Sequence, residues 1–230
     1  MTCLMRAVEQ ETEFLTPLSI SCHFLNVGSF AEATIEVVRL KQSKTRESFR
    51  VSMFQDGAQL VEALIWVGEE GESPTHQDLT FPDVKAPEEL DSINEMLKDS
   101  PHTFHSNFDL RPTNASIEGI PRLFHWHRYV HESDWGNPFI NVGRYLILLD
   151  TFGWASATLI HEDAADYIAP TISFNAEFYR PTDAQWLLSE SWCPFSLDGH
   201  VTVQNRVWDR SGNPLAQSSG SLMCRRIKSS

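Results

Sequence analysis

One carboxylate, Asp150, stands inside a strongly apolar stretch, residues 141–160, where Arg144 is the only other charged side chain. A carboxylate in such surroundings has a raised pKa or strong hydrogen-bond partners, and either property suits it to act as a base or to orient a water molecule. The same pattern also fits a buried acid with a purely structural role. Asp150 is therefore the first candidate for chemistry, with both interpretations open.

Histidines offer a second kind of chemistry. The segment 122–131 alternates like a strand, which places His125 and His127 on one face. A zinc site needs three or four convergent ligands, and no Cys or acid stands at matching spacing, even with His102 and His105 upstream. We predict no metal and no cofactor. His125 and His127 are expected to pack within the fold or to line a substrate pocket.

The small-residue run 218–221 (Ser-Ser-Gly-Ser) has the composition of a nucleophile site. It lies on a predicted strand with no turn into a helix, which argues against serine hydrolase chemistry. Glycine-rich phosphate loops and nucleotide-binding fingerprints are absent from the sequence.

Charge and composition exclude several classes of function. The net charge of −13 opposes binding to nucleic acid or to anionic membranes, and 41% apolar residues suit a chain that buries a core. The apolar runs are too short to span a bilayer, and the first residues lack a signal-peptide pattern. The four cysteines lie far apart in sequence, which is typical of reduced thiols. We predict a cytoplasmic protein.

The chain contains a repeat. Two β-rich stretches, about 17–67 and 170–225, each hold four strand-like segments separated by turn signals. They superpose at an offset of 153 to 155 positions, which favours duplication. The landmarks are Pro17 on Pro170, Phe24 on Phe178, Phe54 on Trp208, Gly57 on Gly212 and Leu60 on Leu215.

A helix precedes each predicted sheet. Residues 141–160 predict a long helix that is apolar nearly all round, whereas residues 1–13 provide only two or three turns. The predicted fold class is α+β, a double hot-dog with two antiparallel sheets each wrapped round a helix and with the first helix shortened. We predict an N-terminal half at 1–68, a linker with a short helix at 69–121 and a C-terminal half at 122–230.

These features together resemble the TesB-like acyl-CoA thioesterases, which are fused double hot-dogs. The resemblance covers most of the chain, and the order and spacing of its segments carry it. The segments are LSISCHFL at 18–25, FQDGAQLVEAL at 54–64, YLILLDTFGWASATL at 145–159, PTISFNAEFYRP at 170–181 and WDRSGNPLAQSSGSLM at 208–223.

The resemblance implies a catalytic set. In bacterial members, an Asp on the helix, a Thr on the next strand and a Gln on the last strand orient the attacking water. These positions fall on Asp150, Thr171 and Gly220. The glycine departs from the family pattern because it removes an amide, and Ser219 beside it is a candidate contact to substrate.

The leading expectation is a thioesterase-like enzyme that acts on an acyl thioester of the acyl-CoA type, a small-molecule substrate. Its acyl group would lie in an apolar cleft between helix and sheet, near Tyr145, Phe152 and Trp154. Two alternatives stay open: a hot-dog dehydratase, isomerase or cyclase that tailors a biosynthetic intermediate, and a non-catalytic ligand-binding protein. A basic patch at residues 225–228 is a candidate contact for coenzyme A, and exposed sheet faces favour a homodimer.

Overall fold

The protein is described by a computed structural model that covers residues 1–98, 103–113, 119–131 and 135–227. Within these ranges, no helix is both long and apolar enough to cross a membrane. The same ranges contain three α-helices and twelve strands: α1 Thr2–Glu9, β1 Thr16–Phe24, β2 Thr34–Gln42, β3 Arg46–Gln55, β4 Ala58–Gly68, β5 Phe108–Pro112, β6 Arg122–Tyr129, α2 Pro138–Thr151, α3 Gly153–Ala157, β7 Tyr167–Ile168, β8 Thr171–Phe178, β9 Trp186–Leu197, β10 His200–Asp209, β11 Pro214–Met223 and β12 Arg225–Arg226.

Ten of these strands form one antiparallel sheet in the order β2-β3-β4-β1-β8-β11-β10-β9-β6-β5, and β7 pairs with β12 separately. The two predicted sheets are therefore joined into one, because β1 pairs directly with β8. Helices α1 and α2 pack against one face of this sheet, which we call the inner face. The arrangement is the α+β double hot-dog that the sequence predicts.

The junction between the halves lies at Ser21 and Asn175. These residues are cross-strand partners, and Ser21 Oγ donates to Asn175 Oδ1 at 2.6 Å. They are 154 positions apart, the same offset that superposes Phe24 on Phe178. Equivalent residues of the two repeats thus face each other, as a local twofold axis requires.

Both repeats contain the same strand irregularity. In β1 the pairing with β4 shifts across Leu18, and in β8 the pairing with β11 shifts across Ile172. This β-bulge aligns Pro17 with Thr171, one position beyond the Pro170 that the sequence pattern predicts. A shared bulge is further evidence for duplication, since bulges are retained as structural features within families.

The predicted helix 141–160 forms as two helices. Asn137 caps α2 by accepting from two backbone N–H groups of the first turn, and the helix ends at Thr151. Phe152 then leaves the helical conformation before α3 begins at Gly153. A Cβ at Gly153 would lie 2.9 Å from Val203 Cγ1, so the glycine allows the chain to approach β10 closely.

The predicted linker, 69–121, contributes a strand. β5 lies within it and pairs with β6 at the edge of the sheet. The short helix expected within this linker is replaced by a 3-10 turn, Pro87–Glu89, followed by turns. Backbone carbonyls of this segment accept hydrogen bonds from a side chain of β5: Arg111 donates to Leu90 O at 3.2 Å. The division of the chain at residues 68 and 121 stays a prediction.

Candidate active site

Asp150 lies in the last turn of α2, against the first residue of β8. Thr171 Oγ1 donates a hydrogen bond to Asp150 Oδ1 at 3.0 Å. Burial raises the pKa of the Asp150 carboxyl, and the Thr171 hydrogen bond opposes that rise because it favours the ionised form. The structure therefore brings together the acid and the hydroxyl that the resemblance selects.

The β-bulge at Ile172 turns Thr171 toward Asp150. Phe174 pairs with Gly220, and both point to the inner face. Regular alternation from Phe174 would place position 171 on the opposite face. Because Ile172 is the extra residue, Thr171 instead pairs with Leu222 and shares its inward direction.

A second contact fixes the end of α2 to the sheet. Ser218 Oγ, on β11, donates to Leu149 O at 3.2 Å, and Asn205 Nδ2, on β10, donates to Ser218 Oγ at 3.1 Å. The last carbonyls of a helix have no partner within it, so Ser218 satisfies one of them beside Asp150. The sequence reasoning missed both polar residues; alternation from Gly220 would have placed Ser218 on the inner face.

Gly220 lies on the inner face of β11, between β8 and β10. A Cβ there would lie 3.1 Å from Ser173 O and 3.3 Å from Val203 Cγ2, so any side chain requires its neighbours to move slightly. The neighbouring Ser219 points to the outer face and is exposed. The structure does not bring Ser219 together with Asp150.

A cavity of about 1030 Å³ opens beside α2, and Asp150 lies in its wall. Phe152 and Trp154 line it as the sequence reasoning expects. Tyr145 does not: it is fully buried, and its hydroxyl donates to Arg180 O at 3.2 Å. The sequence reasoning missed four of the aromatic residues that contribute to the wall: Phe104, Phe108, Tyr129 and Trp135.

His125 and His127 lie on the inner face of β6 and are buried. The Phe152 ring stacks on His125 with centroids 4.5 Å apart and lies 5.5 Å from His127. Burial lowers the pKa of His125 to about 4 and that of His127 well below its ordinary value. Both imidazoles are therefore neutral near pH 7.

Metal ligation by these histidines has no geometric support in the described residues, where no three His, Cys, Asp or Glu side chains form a cluster that fits an ion. His105 lies instead in the cavity wall. His102 falls outside the described residues.

The C-terminal basic residues lie near the cavity. Arg226 places its guanidinium over the ring of Tyr167, 5.4 Å from the centroid, and Tyr167 lines the cavity. Arg226 also pairs with Asp166 at 3.2 Å, and its side chain is largely exposed. Arg225 is exposed on the same short strand, whereas Lys228 lies outside the described residues.

Solved structures share this fold along nearly the whole chain. The acyl-CoA thioesterase II TesB2 of Mycobacterium marinum has a TM-score of 0.83 at 18% identity, covering 96% of this chain and 85% of that one. The tesB protein of Mycobacterium avium subspecies paratuberculosis has a TM-score of 0.81 at 16% identity, covering 97% and 84%. The dehydratase domain of the CurJ module of curacin polyketide synthase has a TM-score of 0.58 at 15% identity, covering 98% and 80%.

At these identities, the structural likeness establishes the fold. No protein with a curated description matches the sequence significantly. Family profiles identify both halves: the acyl-CoA thioesterase N-terminal domain matches residues 1–68, and the acyl-CoA thioesterase C-terminal domain matches residues 80–223. Membership supports thioester hydrolase activity on an acyl-CoA, a small-molecule substrate. With both domains matched in order, the chain belongs to the acyl-CoA thioesterase family.

Proposed function

We propose that this protein hydrolyses acyl-CoA-type thioesters in the cavity beside α2, with Asp150 activating the water and Thr171 positioning Asp150. The hydrogen bond between these two side chains, in the wall of an aromatic-lined cavity, carries the proposal. Burial supports the role as well, because a carboxyl with a raised pKa is a stronger base than a solvated one.

The two carboxylate oxygens of Asp150 have different partners in this mechanism. Oδ1 accepts from Thr171, which leaves Oδ2 to accept a hydrogen from the water. As the water oxygen attacks the thioester carbonyl carbon, its proton passes to Asp150. The tetrahedral intermediate then expels the sulfur, which takes that proton, and the products are a carboxylic acid and a thiol.

Gly220 alters the water site relative to the bacterial pattern. An amide at this position would add one polar contact to the attacking water. Removing a preorganised polar group of this kind typically costs about a hundredfold in rate, so hydrolysis persists at a reduced rate. We expect turnover to be slow and to depend more strongly on Thr171.

The coenzyme A portion has a candidate contact outside the cavity. Arg226 lies beside Tyr167 in the cavity wall, and Arg225 adds a second exposed cation. A guanidinium binds phosphate through paired hydrogen bonds, so this end of the cavity suits the phosphates of the carrier. The acyl group would then enter toward Asp150.

The test is release of thiol from a panel of acyl-CoA esters of increasing chain length. Wild type should release thiol, and Asp150→Asn should reduce kcat by about a hundredfold or more. Asp78→Asn, at an exposed acid far along the chain, is the matched control and should retain wild-type rates. Binding of the esters without thiol release would contradict hydrolysis and favour a ligand-binding protein. Loss of water from a substrate with the thioester intact would favour the dehydratase.

The setting of the activity is also a proposal. Cys3, Cys22, Cys193 and Cys224 are free thiols, which supports a reducing compartment such as the cytoplasm. A homodimer and a role in biosynthesis rest on the sequence reasoning. Light scattering of the purified chain at several concentrations tests the dimer, which a monomeric mass throughout would contradict.

A further inference from the structure

A line of buried polar side chains crosses the inner face of the second half, and the mechanism above gives none of them a role. We call it the polar track: His127 and His125 on β6, Ser191 on β9, Asn205 on β10 and Ser218 on β11. Each is at most 7% exposed. Cross-strand pairing connects Asn205 with both Ser191 and Ser218, and the track ends where Ser218 contacts Leu149.

Four atoms of the polar track have no hydrogen-bond partner among the described residues: His125 Nδ1, His127 Nε2, Ser191 Oγ and Asn205 Oδ1. Buried polar groups are almost always paired, and an unpaired one costs about 1–3 kcal/mol. Four such atoms on one face of three neighbouring strands indicate a site for a polar ligand group.

The chemistry of two of these atoms can be assigned. His127 Nδ1 lies 3.2 Å from the carbonyl oxygen of His125, which only accepts, so Nδ1 carries the proton and Nε2 is an acceptor. Asn205 Nδ2 donates to Ser218 Oγ, so its Oδ1 is an acceptor. Both therefore need a donor. Ser191 Oγ can donate or accept.

The histidine end of the polar track lies directly behind the wall of the cavity. Phe152 lines the cavity on one side, and its ring stacks on His125 and contacts His127 on the other. Phe152 sits in the break between α2 and α3, outside either helix. The Phe152 ring therefore separates the cavity from the two histidines.

We propose that the polar track binds a hydroxyl group carried by the acyl chain of the substrate, admitted past Phe152. A hydroxyl donates its one hydrogen to one of the two buried acceptors, and beside Asn205 its oxygen can accept from the cross-strand neighbour Ser191. A carboxylate is disfavoured, since the track contains no cation and both imidazoles are neutral. An oxo group is disfavoured as well because it only accepts.

This inference rests on the proposed function, and a matched set of acyl-CoA esters tests it. The esters share one chain length and carry either no substituent, a hydroxyl at different positions along the chain, an oxo group or a terminal carboxylate. At its best position, the hydroxyl ester should exceed the unsubstituted ester by about tenfold in kcat/KM, the worth of one to two buried hydrogen bonds. The oxo and carboxylate esters should show no such gain.

Variants of the polar track should remove this preference. Ser191→Ala deletes a hydroxyl that has no partner among the described residues, so the protein should fold normally while the gain for the hydroxyl ester falls severalfold. Asn205→Ala should lower the gain further, with thermal unfolding as the check on folding. Ser196→Ala, at an exposed serine of the same strand, should leave the gain unchanged.

The outcome separates this inference from the proposed function. Thiol release from the unsubstituted ester, with equal kcat/KM for every hydroxyl isomer, would overturn the hydroxyl site and leave hydrolysis intact. If no ester releases thiol, the affinity of the protein for the free hydroxy acids is measured by calorimetry instead. Tighter binding than the unsubstituted acid, lost in Ser191→Ala, would support the site, and equal binding would overturn it.

Discussion

Thr171 reaches Asp150 only because the strand that carries it contains an extra residue just after it. The bulge at Ile172 directs Thr171 to the inner face, where its Oγ1 lies 3.0 Å from Asp150 Oδ1. The acid therefore comes from a helix end, its partner comes from a strand irregularity, and both depend on the position of α2 over the sheet.

The first prediction concerns the pH dependence of Thr171→Val. The Thr171 hydrogen bond favours ionised Asp150, so its loss should raise the pKa of Asp150 further. The rate falls as pH drops through that pKa, so the acidic limb of the kcat/KM profile should move to higher pH. At neutral pH the rate should fall by about tenfold, typical of losing one hydrogen bond to a charged group.

Thr171→Ser is the matched control for that profile. The serine keeps the hydroxyl and should retain both the wild-type rate, within a few-fold, and the wild-type acidic limb. A Thr171→Val enzyme with an unshifted limb would show that the hydroxyl does not act through Asp150.

The second prediction concerns the stability of Asp150→Asn. The pKa of Asp150 is raised above its ordinary value of 3.8, so the folded state holds its proton more tightly than the unfolded state. Stability from this group is therefore present at low pH and is lost as pH rises through the folded pKa. Asparagine removes that loss, so the Asp150→Asn variant should melt at a higher temperature than wild type at pH 7.

The melting difference should shrink as the pH approaches the ordinary pKa of an aspartic acid. Thermal unfolding of both proteins across this range is the measurement. An equal or lower melting temperature for Asp150→Asn at pH 7 would mean that the charged carboxylate is compensated in the folded state.

The third prediction concerns Gly220→Gln, which restores the amide of the family pattern. Because a Cβ here meets Ser173 O at 3.1 Å and Val203 Cγ2 at 3.3 Å, the single variant should be destabilised by about 1–3 kcal/mol without a gain in kcat. Adding Val203→Ala removes the side-chain part of this contact, so the double variant should have a higher kcat than the single variant. A faster and equally stable single variant would contradict this account of the glycine.

The fourth prediction tests the contact with the carrier. Arg226→Ala should raise KM for acyl-CoA esters severalfold and leave kcat nearly unchanged. The proposed role of Arg226 is to bind the phosphates of the carrier, whereas Asp150 acts on the thioester. A short N-acetylcysteamine thioester, which lacks the phosphates, provides the control and should show no change. An equal rise in KM for both substrates would show that Arg226 stabilises the cavity and does not bind the phosphates.

The sequence predicted the fold well because duplication leaves a long-range signal. Hairpin glycines Gly57 and Gly212, both with positive φ, fall in equivalent turns as the offset implies. The break at Phe152 was missed, because an apolar helical pattern continues through it and only the approach of Gly153 to Val203 reveals it.

Within the candidate site, the resemblance to the thioesterase family selected Thr171, which the local sequence pattern alone does not. Regular strand alternation from Phe174 would place Thr171 on the outer face, so only the resemblance to the family selects it. Asn205 and Ser218 carry no motif, and their role depends on which strands become neighbours. Tyr145 fits the apolar spacing equally well as core or as cavity wall, and burial from several elements decides for the core.

The twofold junction has a consequence for stoichiometry. In the first repeat, Pro17 occupies the place that Thr171 occupies in the second, and proline has no hydroxyl to offer an acid. At this position the first repeat therefore lacks the hydroxyl of the proposed Asp150–Thr171 pair. We therefore expect one reaction centre per chain, and titration with a tight-binding substrate analogue should saturate near one equivalent per polypeptide.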